Sequence, residues 1–285
     1  MTAQQAAYQM SVMSRDELQI AMDWAQAEGW NPGLDDAAAF YAADPAGFLI
    51  GKLGTQPVAT ISAVKYGAAF GFIGLYIAQP SYRGQGYGLQ LWDKALAYLR
   101  GRNVGLDGVL AQQDNYRKSG FRLAHRNIRF AGLAKPAVAT PTPAVSLASL
   151  ALDELHRYDR QFFPEQRQRF LERWISQPNA HALGIVDNAR LVGYGVIRAC
   201  HSGYKIGPLN AQSPELASEL FDALAARVPA GCAIYLDTPE PNSRAIELAL
   251  RNGMQPCFET ARMYTGTFPA LPLDKVFGIT SFELG

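Results

Sequence analysis

The feature that most constrains this chain is a glycine-rich turn between an apolar strand and an amphipathic helix. The turn reads Tyr82-Arg83-Gly84-Gln85-Gly86-Tyr87-Gly88, and Leu89, Trp92, Leu96 and Leu99 follow at steps of three and four residues. That spacing predicts a helix with one apolar face. Glycines let successive backbone N–H groups point into one small space, and a helix N-terminus adds partial positive charge. The segment is therefore suited to bind a pyrophosphate.

Two other phosphate-binding turns do not fit these residues. The dinucleotide-binding fingerprint requires a glycine where Leu89 stands, and the P-loop requires a Gly-Lys-Ser/Thr ending that this turn lacks. A run of glycines can also serve a tight turn and nothing else. The order of strand, turn and helix favours the phosphate-binding interpretation.

Two motifs in this region resemble the GNAT superfamily of N-acetyltransferases. Arg83, Gly86 and Gly88 match its Arg/Gln-x-x-Gly-x-Gly/Ala motif, which follows a central strand. Further along, Tyr116 precedes Gly120-Phe121 with the spacing that the superfamily shows. The resemblance covers residues 10–132. It implies acetyl-CoA as the cosubstrate, and a mixed sheet that splays at its fourth strand.

A proline-rich stretch divides the 285 residues into two parts of similar length. Residues 134–143 contain three prolines, which favour an extended connection. We expect a GNAT domain at residues 1–134, a linker at 135–145 and a second domain at 146–285. The second part resembles a diverged GNAT-like domain. The predicted fold class is therefore α/β, with tandem GNAT folds that are each a splayed mixed sheet flanked by helices.

Internal repetition supports a duplicated fold. Gly120-Phe121 and Arg129-Phe130 recur at a similar spacing as Gly253-Met254 and Arg262-Met263. Helices are predicted at residues 15–27, 35–41 and 86–100, within 150–175, and at 214–227 and 242–251. Strands are predicted at 47–52, 57–66, 71–77, 108–111, 122–130, 182–186, 192–199, 233–237 and 259–265. The counterpart of the glycine turn is expected at 206–213, which has no glycine series, so we expect the second domain not to bind CoA.

The resemblance also implies roles for individual residues. Tyr76 and Ile77 are expected to present backbone groups to the pantetheine arm and the thioester. The expected pyrophosphate-binding residues are those of the turn: Arg83, Gly84, Gln85, Gly86, Tyr87 and Gly88. Tyr116 lies where the superfamily keeps the acid for the leaving thiolate, although a tyrosine that only packs its ring fits the spacing too.

The acceptor site is expected between the first two helices. Glu28 is the candidate general base, with Asp35 and Asp36 as alternatives, although acidic residues beside glycine and proline also serve as helix caps. Trp30 and Asn31 are the candidates for acceptor binding, or else they anchor the loop. We expect the second domain to cover one side of the acceptor cleft.

Composition argues against several other classes of protein. The formal net charge is +1 and no long run of either sign would attract a polyanion, so a nucleic-acid partner is not expected. The three cysteines and four histidines show no metal-ligand spacing, so no metal is expected. Residues 1–10 lack the pattern of a signal peptide and no apolar run is long enough to span a membrane, which predicts a cytoplasmic protein with no membrane partner.

These observations predict an acetyl-CoA-dependent N-acetyltransferase that modifies a primary amine of a small molecule by direct attack in a ternary complex. One alternative is a non-catalytic acyl-CoA-binding or sensing module. Another is an enzyme that uses longer acyl-CoA or modifies protein lysines. The sequence leaves open the identity of the amine, the acyl chain length, and the choice between a monomer and a homodimer.

Overall fold

The computed structural model describes residues 7–136 and 143–285, and these form one mixed sheet of 13 strands flanked by eight α-helices. The strands are β1 (Tyr8–Val12), β2 (Phe48–Leu53), β3 (Gln56–Tyr66), β4 (Phe70–Ala78), β5 (Asn103–Val109), β6 (Arg122–Leu133), β7 (Val145–Ser146), β8 (Ala180–Asp187), β9 (Arg190–Ala199), β10 (Tyr204–Ala211), β11 (Ala233–Pro239), β12 (Gln255–Tyr264) and β13 (Val276–Gly278). The helices are α1 (Leu18–Ala27), α2 (Asp36–Ala43), α3 (Tyr87–Tyr98), α4 (Gln113–Lys118), α5 (Leu152–Asp159), α6 (Gln168–Trp174), α7 (Pro214–Ala225) and α8 (Ser243–Arg251). The predicted α/β class is confirmed.

Most predicted elements agree with the structure, and the differences have local causes. Strand β1, which is short and partly polar, was not predicted because only its antiparallel pairing with β2 makes it a strand. Strand β5 begins at Asn103, ahead of the predicted 108–111. The middle of the predicted linker, residues 137–142, lies outside the described residues.

The prediction of a turn at residues 206–213 was wrong, because most of this segment forms strand β10. Gly207-Pro208 suggests a turn in the sequence, yet the pairing of β10 with β9 accommodates both residues by a register shift between Ile206 and Leu209. Only Gln212 and Ser213 then connect β10 to α7.

The first half of the chain (residues 7–136) and the second half (residues 143–285) exchange one long strand each, β6 and β12. The order is β1-β2-β3-β4-β5-β12-β6-β11-β10-β9-β8-β7, and β13 pairs with β10. Strand β12 of the second half therefore lies antiparallel to β5 of the first half, and β6 of the first half lies antiparallel to β11 of the second. As a result, the described strands of both halves form one continuous hydrogen-bonded sheet.

Each exchanged strand carries an arginine that binds an aspartate of the other half. On β6, Arg129 donates to both carboxylate oxygens of Asp237 on β11, at 2.7 and 2.8 Å. On β12, Arg262 donates to both oxygens of Asp107 on β5, at 3.0 and 2.5 Å. All four side chains are less than a tenth exposed. Bidentate pairs of this kind fix geometry as well as charge, so they hold the exchange in register at two equivalent positions.

Aromatic packing also joins the halves away from the sheet. The Phe40 ring of α2 stacks on Phe170 and Trp174 of α6, with ring centroids 6.5 and 6.0 Å apart. These rings belong to a core that contains residues from both parts of the chain. Among the described helices, none combines the length and the hydropathy needed to cross a membrane.

Candidate functional site

A cavity of about 580 Å³ opens where β4 and β5 separate. The two strands are paired only from Phe70–Ile73 to Asn103–Leu106. Beyond that point, residues 74–78 of β4 and 107–109 of β5 line the cavity together with parts of the glycine turn. A cleft of this size suits a small ligand or one arm of a larger one.

Strand β4 is distorted where it leaves β5. Leu75 has φ of +47°, which is uncommon for a residue other than glycine. The pairing with β3 shifts its register at this point, and Thr60 Oγ1 donates to the Leu75 carbonyl at 3.0 Å. The distortion turns the strand edge away from β5. Backbone groups of residues 74–78 on that edge can therefore hydrogen-bond to an extended ligand.

The glycine turn adopts angles that favour glycine and leaves open space beside it. Gly84 and Gly86 have φ of +77° and +82°, and no neighbouring atom lies within 4 Å of the place where a Cβ would stand at either residue. Gly86 is the N-cap of α3. Since the first N–H groups of a helix have no partner within it, the turn offers several donors to an anion.

The third glycine serves close packing between α3 and β4. A Cβ at Gly88 would lie 3.0 Å from the Tyr76 hydroxyl. The Tyr76 ring in turn lies 5.3 Å from the Trp92 ring of α3, centroid to centroid. The helix N-terminus is thereby held against the distorted part of the strand.

Gln85 and Tyr87 belong to the turn, but neither lines the cavity. The Gln85 amide donates to the Ser81 carbonyl at 2.9 Å. The Tyr87 ring lies 4.8 Å from that of Tyr8 on β1, whose hydroxyl donates to the Tyr87 carbonyl at 2.9 Å. Their side chains shape the turn, and only their backbone N–H groups are suited to a ligand there.

Arg83 and Glu28 both line the cavity and bind each other. The Arg83 guanidinium forms an ion pair with the Glu28 carboxylate and donates through Nε to the Ala78 carbonyl at 2.9 Å. Glu28 directly follows α1, so the pair joins that helix to the turn. The carboxylate predicted as general base is thus engaged by an arginine, and the geometry favours it as a partner that orients Arg83.

Tyr116 lies on the short helix α4, which follows β5, and it lines the same cavity. Its ring stacks on Trp92 with centroids 5.5 Å apart, and the absence of a side chain at Gly108 makes room for it. Burial, with a smaller effect of the neighbouring Tyr76, raises the pKa of Tyr116 to about 12. The hydroxyl therefore stays protonated at neutral pH and can donate a hydrogen bond into the cavity.

Of the two residues predicted to bind the acceptor, Trp30 lines the cavity and Asn31 does not. The Asn31 amide donates to the Ser202 carbonyl at 2.9 Å and accepts from the Ser202 N–H at 3.0 Å. It thereby anchors the Trp30 loop to the second half, the alternative role that the sequence left open. Acceptor binding by Asn31 has no support in this geometry.

The alternative bases Asp35 and Asp36 lie outside the cavity lining and are bound elsewhere. Asp35 accepts from the Asn179 amide at 3.0 Å. Asp36 is fully buried and accepts from Arg198 Nε at 2.8 Å and from the Gly33 N–H at 2.8 Å. Both carboxylates therefore bind side chains of the second half, and Asp36 also accepts from a backbone N–H of the loop after α1.

Four cavity residues come from the second half and were not predicted: Phe258 and Thr260 of β12, and Phe282 and Glu283 beyond β13. The Phe258 and Phe282 ring centroids lie 6.0 Å apart. No local motif marks these residues. They reach the cavity because β12 pairs with β5, and because the segment after β13 passes in front of β4. The first half's cavity therefore has walls from both halves.

The equivalent cleft in the second half is occupied by the chain itself. Strands β10 and β11 are paired only from Tyr204 to Ile206. Beyond that point β13 pairs antiparallel with Leu209 and Asn210 of β10, and the Ile279 N–H donates to the Asp237 carbonyl of β11 at 2.8 Å. Strand β13 thus takes the place between the diverging strands that is open in the first half.

Each half of the chain matches a GNAT family. Residues 15–121 match the family described as "Acetyltransferase (GNAT) family", and residues 155–278 match the one described as "Acetyltransferase (GNAT) domain". The chain is 33% identical over 272 residues to the holothin acyltransferase of Pseudoalteromonas sp. (strain SANK 73390), covering 95% of this chain and 92% of that protein.

Solved structures show the same architecture. A putative acetyltransferase from Pyrococcus horikoshii superimposes with a TM-score of 0.83 at 22% identity, over 100% of this chain and 98% of that one. A tandem GNAT protein from the clavulanic acid biosynthesis pathway superimposes with a TM-score of 0.64 at 13% identity, over 92% and 100%. The predicted tandem arrangement of GNAT folds is confirmed.

Proposed function

The chain belongs to the GNAT family of acetyltransferases, and we propose that it transfers an acetyl group from acetyl-CoA to a primary amine of a small molecule, by direct attack in a ternary complex. One observation carries the proposal. An open strand edge, an open glycine turn and a protonated tyrosine surround the same cavity.

The residues of the first cleft fit acetyl-CoA. The N–H groups of the turn and of the first turn of α3 would hold the pyrophosphate, with the Arg83 guanidinium beside them. The exposed edge of β4 at Tyr76 and Ile77 would pair with the amides of the pantetheine arm. Bound in this way, acetyl-CoA supplies a thioester whose carbonyl carbon accepts the amine.

The residues around the thioester would stabilise the charges that develop as it reacts. A backbone N–H of β4 at Tyr76 or Ile77 would donate to the carbonyl oxygen as it becomes negative. Tyr116 would donate to the leaving sulfur. Because its pKa is about 12 and that of a simple thiol is about 8.5, the phenol is the weaker acid. We therefore assign Tyr116 hydrogen-bond donation to the thiolate rather than complete proton transfer.

The acceptor would bind among three aromatic rings. Trp30, Phe258 and Phe282 all line the cavity, and flat apolar molecules pack well on such rings. The relative at 33% identity is named for holothin. We propose holothin as the first acceptor to assay, followed by amines that differ from it in shape and charge.

An assay of thiol release tests the proposal. Acetyl-CoA is mixed with holothin, or with a panel of amines, amino acids, polyamines and aminoglycosides, and the product is identified by mass spectrometry. We expect release that depends on the acceptor and an amide product. Binding of acetyl-CoA without any acceptor-dependent release would instead favour the sensing module, and absence of binding would refute both. Longer acyl-CoA thioesters, tested in parallel, define the acyl group.

A further inference from the structure

The segment after β13, residues 279–285, runs from the second half's cleft to the first half's cavity. At its start, a Cβ at Gly207 would lie 2.6 Å from the Ile279 carbonyl oxygen. Near its end, the Tyr66 hydroxyl of β3 donates to the Leu284 carbonyl at 3.1 Å. A Cβ at Gly74 would collide with the Glu283 carbonyl oxygen. Gly207 and Gly74 each follow the last paired residue of a diverging strand, so the segment crosses both distortions in turn.

Glu283 has an unusual environment for a carboxylate. It is only 3% exposed and lines the cavity. Neither carboxylate oxygen has a hydrogen-bond partner among the described residues. A buried carboxylate without a partner destabilises a fold. The folded chain thus gains nothing from hydrogen bonds to this group.

The charged groups around Glu283 are mostly engaged by others. Arg129 of β6, Arg198 of β9 and Lys205 of β10 are near enough for its charge to influence their pKa values. Arg129 binds Asp237, and Lys205 donates to the Trp30 carbonyl at 3.4 Å. Arg198 binds Asp36 through Nε, whereas its Nη1 and Nη2 have no hydrogen-bond partner among the described residues. None of these cations hydrogen-bonds to Glu283, so both of its carboxylate oxygens lack a partner within the described part of the chain.

Glu283 differs from the other acidic groups that line the cavity. The carboxylates in its lining are Glu28, Asp107 and Glu283, and none of the lining residues is a histidine or a lysine. Glu28 is paired with Arg83. Asp107 accepts from Arg262, and also from the Asn127 amide at 2.7 Å. Among the described residues that line the cavity, Glu283 is the one carboxylate without a hydrogen-bond partner.

We infer that Glu283 is the group that takes the proton from the attacking amine, an assignment that rests on the proposed function. The amine nitrogen forms the new N–C bond to the thioester carbonyl carbon as the C–S bond breaks, and the sulfur leaves with the electron pair of that bond. The proton lost by the nitrogen passes to the Glu283 carboxylate. Solvent then protonates the thiolate, and Glu283 releases its proton, so the products are one amide and one free thiol.

Glu283→Gln tests the assignment because it keeps the shape of the side chain and removes its basicity. We expect the single-turnover rate with acetyl-CoA and an accepted amine to fall about 10²-fold, the usual scale for general base catalysis. The Kd for CoA, measured by calorimetry, should remain unchanged. Asp274→Asn is the matched control, since it removes an exposed carboxylate shortly before β13, and it should keep the wild-type rate.

A second variant keeps the test decisive if Glu283→Gln is poorly folded. Glu283→Asp retains the carboxylate, one methylene shorter, and should lie between wild type and Glu283→Gln in rate. A folded Glu283→Gln with the wild-type rate, or with an unchanged rate and only a higher KM for the amine, overturns the assignment. Failure of the wild-type chain to acetylate any amine is a different outcome, because it refutes the proposed function and this inference with it.

Discussion

The two clefts of this molecule start from the same strand geometry and end in different states. In each half, two parallel strands are paired for three or four residues and then diverge after a glycine-bearing step. In the first half a cavity of about 580 Å³ remains. In the second half β13 lies between the strands, and the cavity bordering β13 and β10 is about 40 Å³. A duplicated fold therefore does not imply a duplicated site.

The connection between strand and helix separates the clefts further. Eight residues, Gln79–Gly86, join β4 to α3, whereas two join β10 to α7. The Ser213 hydroxyl caps α7 by accepting from the Leu216 N–H at 3.3 Å, so the helix N-terminus is partly satisfied within the chain. The second half instead contributes to the wall of the first half's cavity, through Phe258 of β12 and through Phe282 and Glu283.

The largest expected effect concerns the number of CoA sites. If only the open cleft binds, calorimetry should give one equivalent per chain. Gly86→Glu should abolish that binding, because it places bulk and negative charge where the pyrophosphate is expected. Gly101→Glu is the control, since Gly101 also has positive φ and open space beside it but lies beyond the other end of α3. Two equivalents per chain, or CoA binding that persists in Gly86→Glu, would contradict the conclusion that only the open cleft binds CoA.

The exchange of strands predicts a large loss of stability on the side of the filled cleft. Arg129→Met leaves the Asp237 carboxylate buried without its bidentate partner. We expect the free energy of unfolding in denaturant to fall by about 3–5 kcal/mol. Arg117→Met, which removes an exposed pair with Asp114, should cost less than about 1 kcal/mol. The double variant Arg129→Met/Asp237→Leu should recover part of the loss, and equal losses in the single and double variants would argue against the pair.

In the open cleft, Tyr116→Phe should separate chemistry from binding. The ring and its stacking on Trp92 remain, while the hydroxyl proposed to donate to the leaving sulfur is lost. The single-turnover rate should fall about 10²-fold, the scale for losing one hydrogen-bond donor to a developing negative charge, with the CoA affinity unchanged. In Tyr98→Phe, the control, a hydroxyl that donates to Asp44 at 3.0 Å is lost outside the cavity, so stability should fall and the rate should not. A full rate in Tyr116→Phe would remove this residue from the mechanism.

The smallest expected effect distinguishes the exchanged strands by pH. His125 stands four residues before Arg129, where the other strand has Phe258 before Arg262. Burial, and secondarily the charge of Arg262, lowers the pKa of His125 to about 3. The unfolded chain takes up the proton near pH 6.5 and the folded chain does not. This histidine should therefore reduce stability as the pH falls from about 6.5 towards 3, by about 2 kcal/mol at pH 5.

The measurement is the stability of wild type and His125→Gln between pH 5 and 8. The variant should lose less stability than wild type on acidification, and the two curves should run parallel only above about pH 7. Parallel curves over the whole range would show that His125 titrates alike in the folded and unfolded chain.

The sequence alone determined the features that depend on neighbouring residues. The positive φ of Gly84 and Gly86 and the apolar period of α3 are local, so the turn was recognisable without the fold. The spacing from Tyr116 to Phe121 carried the resemblance that singled out Tyr116, and Tyr116 lines the cavity. The α/β class followed from the family resemblance that these local motifs carry. The glycine turn and Tyr116, which form one part of the first half's cavity, were thus recognisable from local sequence.

Only the tertiary structure decided which distant segments meet. The amide of Asn31 binds a backbone 171 residues away, and the carboxylate of Asp36 binds Arg198. Asn31, a candidate for acceptor binding, and Asp36, an alternative general base, therefore connect the two halves instead. Glu283 reaches the cavity because β13 fills one cleft and its continuation enters the other. Strand neighbours and register are set by partners far along the chain. Local sequence carries no record of those partners, and the acceptor side of the site was therefore decided by the fold.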